Sequence, residues 1–99
     1  MMRPTVEVEQ KPAEDGCFVF SVSIADSAGR THHRVTLHDD AYQRLTGGRI
    51  TPLACVEAAF RFLLERETKS DILPSFDLNV LQLYFASFEK ELPNYFQAD

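Results

Sequence analysis

Hydrophobic and polar residues alternate along the first third of the chain. The clearest run covers residues 17–25, in which every second residue is large and apolar. A period of two predicts a β-strand with one buried face. Weaker alternation predicts strands at 5–10 and 31–38, and turns containing Gly16 and Gly29 separate the three segments. We therefore expect a three-stranded antiparallel β-meander.

After the third strand the hydrophobic period lengthens to that of an α-helix. The strongest helix is predicted at 52–67, because Thr51 and Pro52 are typical of a helix start and apolar residues follow at every third or fourth position. This main helix is expected to cover the apolar side of the strand at 17–25. Weaker patterns predict three shorter helices, at 40–46, 77–85 and 87–92. The expected fold class is therefore α+β, although residues 77–85 also fit a strand.

Capping residues set the expected ends of the shorter helices. Asp39 or Asp40 can cap the first of them, because a carboxylate accepts hydrogen bonds from unpaired amides at a helix start. Asp77 and Ser87 are the corresponding candidates for the last two helices. Pro93 is expected to end the final helix.

The length and composition indicate one globular domain spanning residues 1–99. Of these residues 44% are hydrophobic and 25% charged, which is typical of a chain that buries a core. The sequence shows neither an apolar signal segment nor a run long enough to cross a membrane. We therefore expect a cytoplasmic protein that does not bind membranes.

The net charge of −5 is concentrated in the last third of the chain. After residue 70, Lys90 is the one basic residue, against five acidic ones. This distribution makes nucleic acid an unlikely partner, because phosphates would be repelled. It favours a basic protein partner instead.

Candidate chemistry in the sequence is sparse. Cys17 and Cys55 are far apart and have apolar neighbours, so buried packing is favoured over a nucleophilic or redox role. His32 and His33 would point to opposite faces of a strand, and His38 lies too far along it from His32 to share one metal ion. We expect no catalytic residue, no cofactor and no metal site.

Aromatic residues are the main functional signal. Six of the eleven lie in the last third of the chain, among acidic residues. Some must complete the core, but those left on the surface would form an apolar patch for a protein partner or a second copy. Both uses remain open. The candidate interface residues are Tyr84, Phe85, Phe88, Tyr95 and Phe96.

The region 34–88 resembles a family of small uncharacterised bacterial proteins. The matching segments are RVTL at 34–37, Tyr42, LTGG at 45–48, EAAFRFLLERE at 57–67, SFDL at 75–78 and YF at 84–85. The resemblance covers somewhat over half of the chain. It implies a bacterial source and no particular activity.

The order of elements at 34–67 also resembles that of ribbon-helix-helix repressors: a strand, a short helix and a helix started by Thr-Pro. The resemblance implies a dimer that places alternate strand residues in the DNA major groove. The matching positions are His32, Arg34 and Thr36. Two expected strands precede this one and could occupy its edges, unlike in that family. The preferred hypothesis is therefore a non-enzymatic protein-interaction or regulatory module that could form a homodimer, and a dimeric DNA-binding regulator is the alternative.

Overall fold

The computed structural model describes residues 3–96, which form an α+β fold. Three antiparallel strands follow one another along the chain, and a short fourth strand lies parallel to the third, so that the sheet order is β1-β2-β3-β4. The strands are β1 Thr5–Glu14, β2 Cys17–Asp26, β3 Gly29–His38 and β4 Ser75–Asp77. The α-helices are α1 Asp39–Thr46, α2 Pro52–Leu64, α3 Leu81–Tyr84 and α4 Phe88–Glu91. Three 3₁₀ segments are Lys69–Asp71, Leu78–Val80 and Leu92–Tyr95.

The meander predicted from the alternating pattern is confirmed, but the sheet has four strands instead of three. The β2–β3 turn pairs Asp26 with Gly29, and the Asp26 carboxylate accepts the Ala28 amide at 2.8 Å. Gly29 has a φ of 134°, which a residue with a side chain rarely adopts. The added strand β4 pairs with only three residues of β3. A segment this short shows too little alternation to be recognised in the sequence.

Helix α2 begins as predicted. The Thr51 hydroxyl accepts the Ala54 amide at 3.1 Å, and Pro52 occupies the first helical position. The helix ends at Leu64 instead of residue 67. The expected cap of α1 is wrong, because His38 occupies the N-cap position without a side-chain capping bond and Asp39 and Asp40 lie within the first turn. There the two carboxylates face the positive end of the helix dipole.

The C-terminal third differs most from expectation. The helix predicted at 77–85 is split, because Leu78–Val80 is 3₁₀ and α3 covers only Leu81–Tyr84. Asp77 caps the 3₁₀ turn as expected, with its Oδ1 accepting the Asn79 amide at 3.0 Å. The last α-helix ends at Glu91, and the chain continues through Pro93 as the 3₁₀ segment Leu92–Tyr95. Ser87 makes no capping bond and instead donates its hydroxyl to Glu91.

The core lies between the sheet and α2. Most of the inward side of β2, including Phe20, is fully buried together with the facing residues of the helix, whereas Phe18 is half-buried. Phe60 of α2 has its ring centroid 5.9 Å from that of His33 on β3 and 6.0 Å from that of Phe76 on β4. Each large side chain removed from water contributes about 1.5–3 kcal/mol. Packing of α2 on the sheet therefore buries the apolar face of the meander, which an isolated sheet would leave in contact with water.

A nearly buried ion pair joins the β2–β3 turn to the segment after α2. Lys69 is 8% exposed, and its Nζ lies 3.0 Å from Asp26 Oδ1. The hydrogen bond from Lys69, and then the one from Ala28, holds the pKa of Asp26 below its ordinary value of 3.8. A carboxylate with a lowered pKa stabilises the fold fully above that ordinary value, and the contribution is lost as the pH falls through the lowered pKa.

We therefore expect Asp26→Asn to be less stable than the wild type at neutral pH. Asparagine can keep the turn but leaves Lys69 without a countercharge. The difference should shrink on acidification below pH 3.8, as urea midpoints measured over a pH series would show. Glu9→Gln, which neutralises one partner of the exposed Lys11–Glu9 ion pair, is the matched control. A difference for Asp26→Asn that stays constant down to the acid limit would contradict this role of the ion pair.

Within residues 3–96, none of the helices has both the length and the apolar character needed to cross a membrane.

Candidate functional site

A largely apolar cleft opens between the C-terminal end of α2 and the segment 71–85. Its volume is about 150 Å³. The floor consists of buried core residues, so the shape of the cleft is set by the packing of the fold and not by a flexible loop. The floor residues are Leu63, Ile72, Phe76 and Leu81.

The rim of the cleft combines exposed apolar side chains with acidic ones. Leu73 is 45% exposed and Tyr84 is 66% exposed, and both line the opening. Glu67 and Asp71 complete the lining. A water-exposed apolar wall beside two carboxylates suits a ligand that carries an apolar group close to positive charge.

Backbone contacts to β3 fix the exposed wall. The Arg34 amide donates to the Pro74 carbonyl at 2.8 Å, and Nδ1 of the buried His33 lies 2.7 Å from the Leu73 carbonyl oxygen. Because a carbonyl oxygen can only accept, His33 donates this bond through Nδ1. These two bonds hold the 73–74 backbone against the sheet edge. Leu73 is therefore presented to solvent by a rigid support.

Helix α3 presents apolar residues outward. Leu83 is 82% exposed and follows Gln82, whose Oε1 is buried without a hydrogen-bond partner in the described part of the chain. A helix selected only for stability would bury the leucine side chain and expose the glutamine side chain. Leu83 is not among the residues that line the cleft, so it adds exposed apolar surface to α3 beside the wall to which Tyr84 contributes.

The five aromatic residues predicted as an interface lie in three different environments. Tyr84 and Phe85 line the cleft. Phe88 is fully buried in the core. The Tyr95 hydroxyl donates to Glu65 at 2.7 Å, and the guanidinium of Arg49 lies 5.3 Å from the ring centroid of Phe96. Two of the five residues therefore line the cleft, whereas Phe85, Phe88 and Tyr95 pack around the buried ring of Phe62.

The cleft also contains residues that the sequence did not indicate. The sequence pattern indicates a packed connection at Ile72 and Leu73, and it marks Phe76 only as one of the six aromatic residues in the last third. One available signal was the apolar pair directly before Pro74, because the residue before a proline is restricted to an extended conformation. The parallel pairing of β4 with β3, which places Phe76 in the floor, has no local signature.

The three residues of the DNA-binding alternative lie on the outer side of β3, and each has a polar partner. His32 Nδ1 lies 3.0 Å from Ser23 Oγ, Arg34 pairs with Glu14 at 3.1 Å, and Thr36 donates to Asp77 at 2.8 Å. β3 pairs with β2 over its whole length and with β4 at 34–36. β2 therefore occupies one edge of β3 along its whole length and β4 occupies the other edge at 34–36, whereas a ribbon-helix-helix dimer pairs that strand with its twin.

The reactivity of the Cys55 thiol and the scope for metal binding are both restricted. Burial raises the pKa of the Cys55 thiol to about 12, so this sulfur stays protonated and unreactive. Among residues 3–96, no three His, Cys, Asp or Glu side chains are grouped so that they could hold a metal ion.

Comparison of the chain with protein-family models, with curated proteins and with solved structures finds no match in any of the three. The resemblances noted in the sequence therefore stay predictions.

Proposed function

We propose that the protein is a non-enzymatic interaction module that binds a segment of a partner protein in the apolar cleft. The proposal rests on the rigid apolar floor of the cleft and on the exposed apolar side chains that border it, mainly Leu73 and Tyr84. Leaving such a border in water is unfavourable, and covering it with a ligand removes that cost. The cleft has the size of a pocket for one or two anchoring side chains.

The acidic rim defines the chemistry of the partner. Glu67 and Asp71 stand beside the apolar wall, and the whole chain carries a charge of −5. A ligand with Leu, Met or Phe next to Lys or Arg would fill the cleft and pair with the rim. Charge complementarity of this kind speeds the encounter and selects against acidic segments.

A partner of different sequence fits these features better than a second copy of the chain. Two copies with the same negative charge would repel one another as they approach. A stable dimer also needs an interface on the order of 1,200–2,000 Å². A small cleft bordered by a few side chains matches the anchor site of a peptide segment instead.

The experiment is a selection of peptides from a random display library on the immobilised protein. We expect the enriched peptides to share a large apolar residue flanked by Lys or Arg. Selection on Glu67→Lys should weaken the preference for basic flanks while keeping the apolar anchor, because only the rim charge has changed. The proposal fails if no common motif is enriched, or if the same peptides are enriched on a variant with Leu73 and Tyr84 both changed to Ser.

A further inference from the structure

A cysteine, a histidine and an aspartate meet at one corner of the outer face of the sheet, away from the apolar cleft. Cys17 is the first residue of β2 and pairs directly with His38, the last residue of β3. Asp77, the last residue of β4, lies in register with Thr36 on the same face. Three strand ends thus bring together side chains that are far apart in the sequence.

The three side chains are arranged in the order thiol, imidazole, carboxylate. Cys17 Sγ lies 3.2 Å from His38 Nδ1 and 3.5 Å from Nε2, and Nε2 lies 3.5 Å from Asp77 Oδ2. A ring with its proton on Nε2 leaves Nδ1 free to accept the thiol proton, and Asp77 lies at ion-pair distance from Nε2, where its charge stabilises the imidazolium that results. This is the relation of nucleophile, base and orienting group found where side chains activate a sulfur.

The carboxylate is held from both sides. Its Oδ2 accepts the Thr36 hydroxyl at 2.8 Å, and its Oδ1 accepts the Asn79 amide at 3.0 Å. Asp77 is only 25% exposed at its side chain, whereas His38 is 61% exposed. The orienting group is therefore fixed by the fold, while the base and the sulfur remain open to a reagent from solvent.

The other charged residues near Cys17 do not replace His38 as the base. On β1, Glu14 lies opposite Cys17 but is paired with Arg34 at 3.1 Å. From the turn, Asp15 contributes its backbone carbonyl, 3.9 Å from Cys17 Sγ. His38 is therefore the base in contact with the sulfur.

We propose that Cys17 is a thiol-modification site that exchanges with low-molecular-weight disulfides, with His38 as the base and Asp77 as its positioning residue. His38 Nδ1 takes the proton of the thiol, and the Cys17 thiolate attacks one sulfur of the disulfide. The disulfide's S–S bond breaks as a new S–S bond to Cys17 forms, and the second sulfur leaves as a thiolate that takes up a proton. The products are a mixed disulfide on Cys17 and one free thiol, with no other oxidant required.

The test is the rate of reaction with dithiodipyridine, an uncharged disulfide whose leaving thiol is followed by absorbance. At mildly acidic pH, where an unassisted thiol is protonated, we expect the wild type to react at least about tenfold faster than His38→Gln. The two rates should converge at alkaline pH, because the thiol then ionises without a base. Asp77→Asn, which can keep the Thr36 and Asn79 contacts, should give an intermediate rate and a shifted pH profile. A purely structural role of Asp77 would not produce that shift.

Cys17→Ser is the control for the site. The reaction should disappear in the folded Cys17→Ser variant, because Cys55 is fully buried, and mass spectrometry should place the adduct of the wild type on Cys17. Equal rates for the wild type and His38→Gln across the pH range would overturn the proposal. So would a reaction that persists in folded Cys17→Ser.

Discussion

Replacing Phe62 with alanine is expected to lower the free energy of unfolding by about 3–5 kcal/mol. The ring is fully buried, with its centroid 5.1 Å from that of Phe88, 5.5 Å from Phe85 and 5.8 Å from Tyr95. It also lies 3.7 Å from the guanidinium carbon of Arg66. Removing it leaves a cavity that joins α2 to the C-terminal segments, and urea unfolding followed by circular dichroism measures the loss.

Leu83→Ala is the control, because it removes an apolar side chain that is 82% exposed. This substitution should change the free energy of unfolding by no more than about 0.5 kcal/mol. If Phe62→Ala were as mild as Leu83→Ala, the aromatic cluster would not be what holds the C-terminal third on the helix. The packing that positions the cleft would then need another explanation.

Changing both Leu73 and Tyr84 to Ser should weaken binding of a selected peptide at least about tenfold, which corresponds to about 1.4 kcal/mol. The two side chains form the exposed wall of the cleft, and a few apolar residues around a pocket usually carry most of the affinity. Fluorescence anisotropy of a labelled peptide gives the dissociation constants. Unfolding measurements should show a far smaller loss of stability than Phe62→Ala, because both side chains are exposed.

Leu83→Ser separates the wall of the cleft from general surface hydrophobicity. Leu83 is more exposed than Leu73 or Tyr84, yet it is not among the residues that line the cleft. We expect the affinity of this variant to stay within about twofold of the wild type. A larger loss for Leu83→Ser than for the double variant would place the binding surface elsewhere on α3.

The sheet and the main helix could be predicted because their signals are local. Alternation along β2 and the Thr51–Pro52 start of α2 each identify an element without knowledge of its neighbours. Strand β4 could not be found in this way, because three residues gain their strand geometry from pairing with a distant part of the chain. The helix expected at 77–85 is divided into the 3₁₀ segment Leu78–Val80 and the short helix α3, and the helical spacing of its apolar residues does not reveal this division.

The aromatic residues of the last third include two that line the proposed cleft, Tyr84 and Phe85, and others that do not. Sequence spacing does not reveal which rings complete the core, and Phe88 does so whereas Tyr84 does not. The Cys17–His38 pair was closer to being predictable. Once the turn pairs Asp26 with Gly29, the antiparallel register places Cys17 opposite His38. The position of Asp77 beside this pair depends on strand β4, which the sequence pattern does not predict.

The central claim, that the cleft is the binding site, is tested most directly by titrating a selected peptide into ¹⁵N-labelled protein and following the backbone amide resonances. The account predicts saturable shifts that are largest at Leu73, Phe76, Leu81 and Tyr84, which all line the cleft. Shifts centred on the outer face of the sheet, around Ser21 and Arg34, would contradict it.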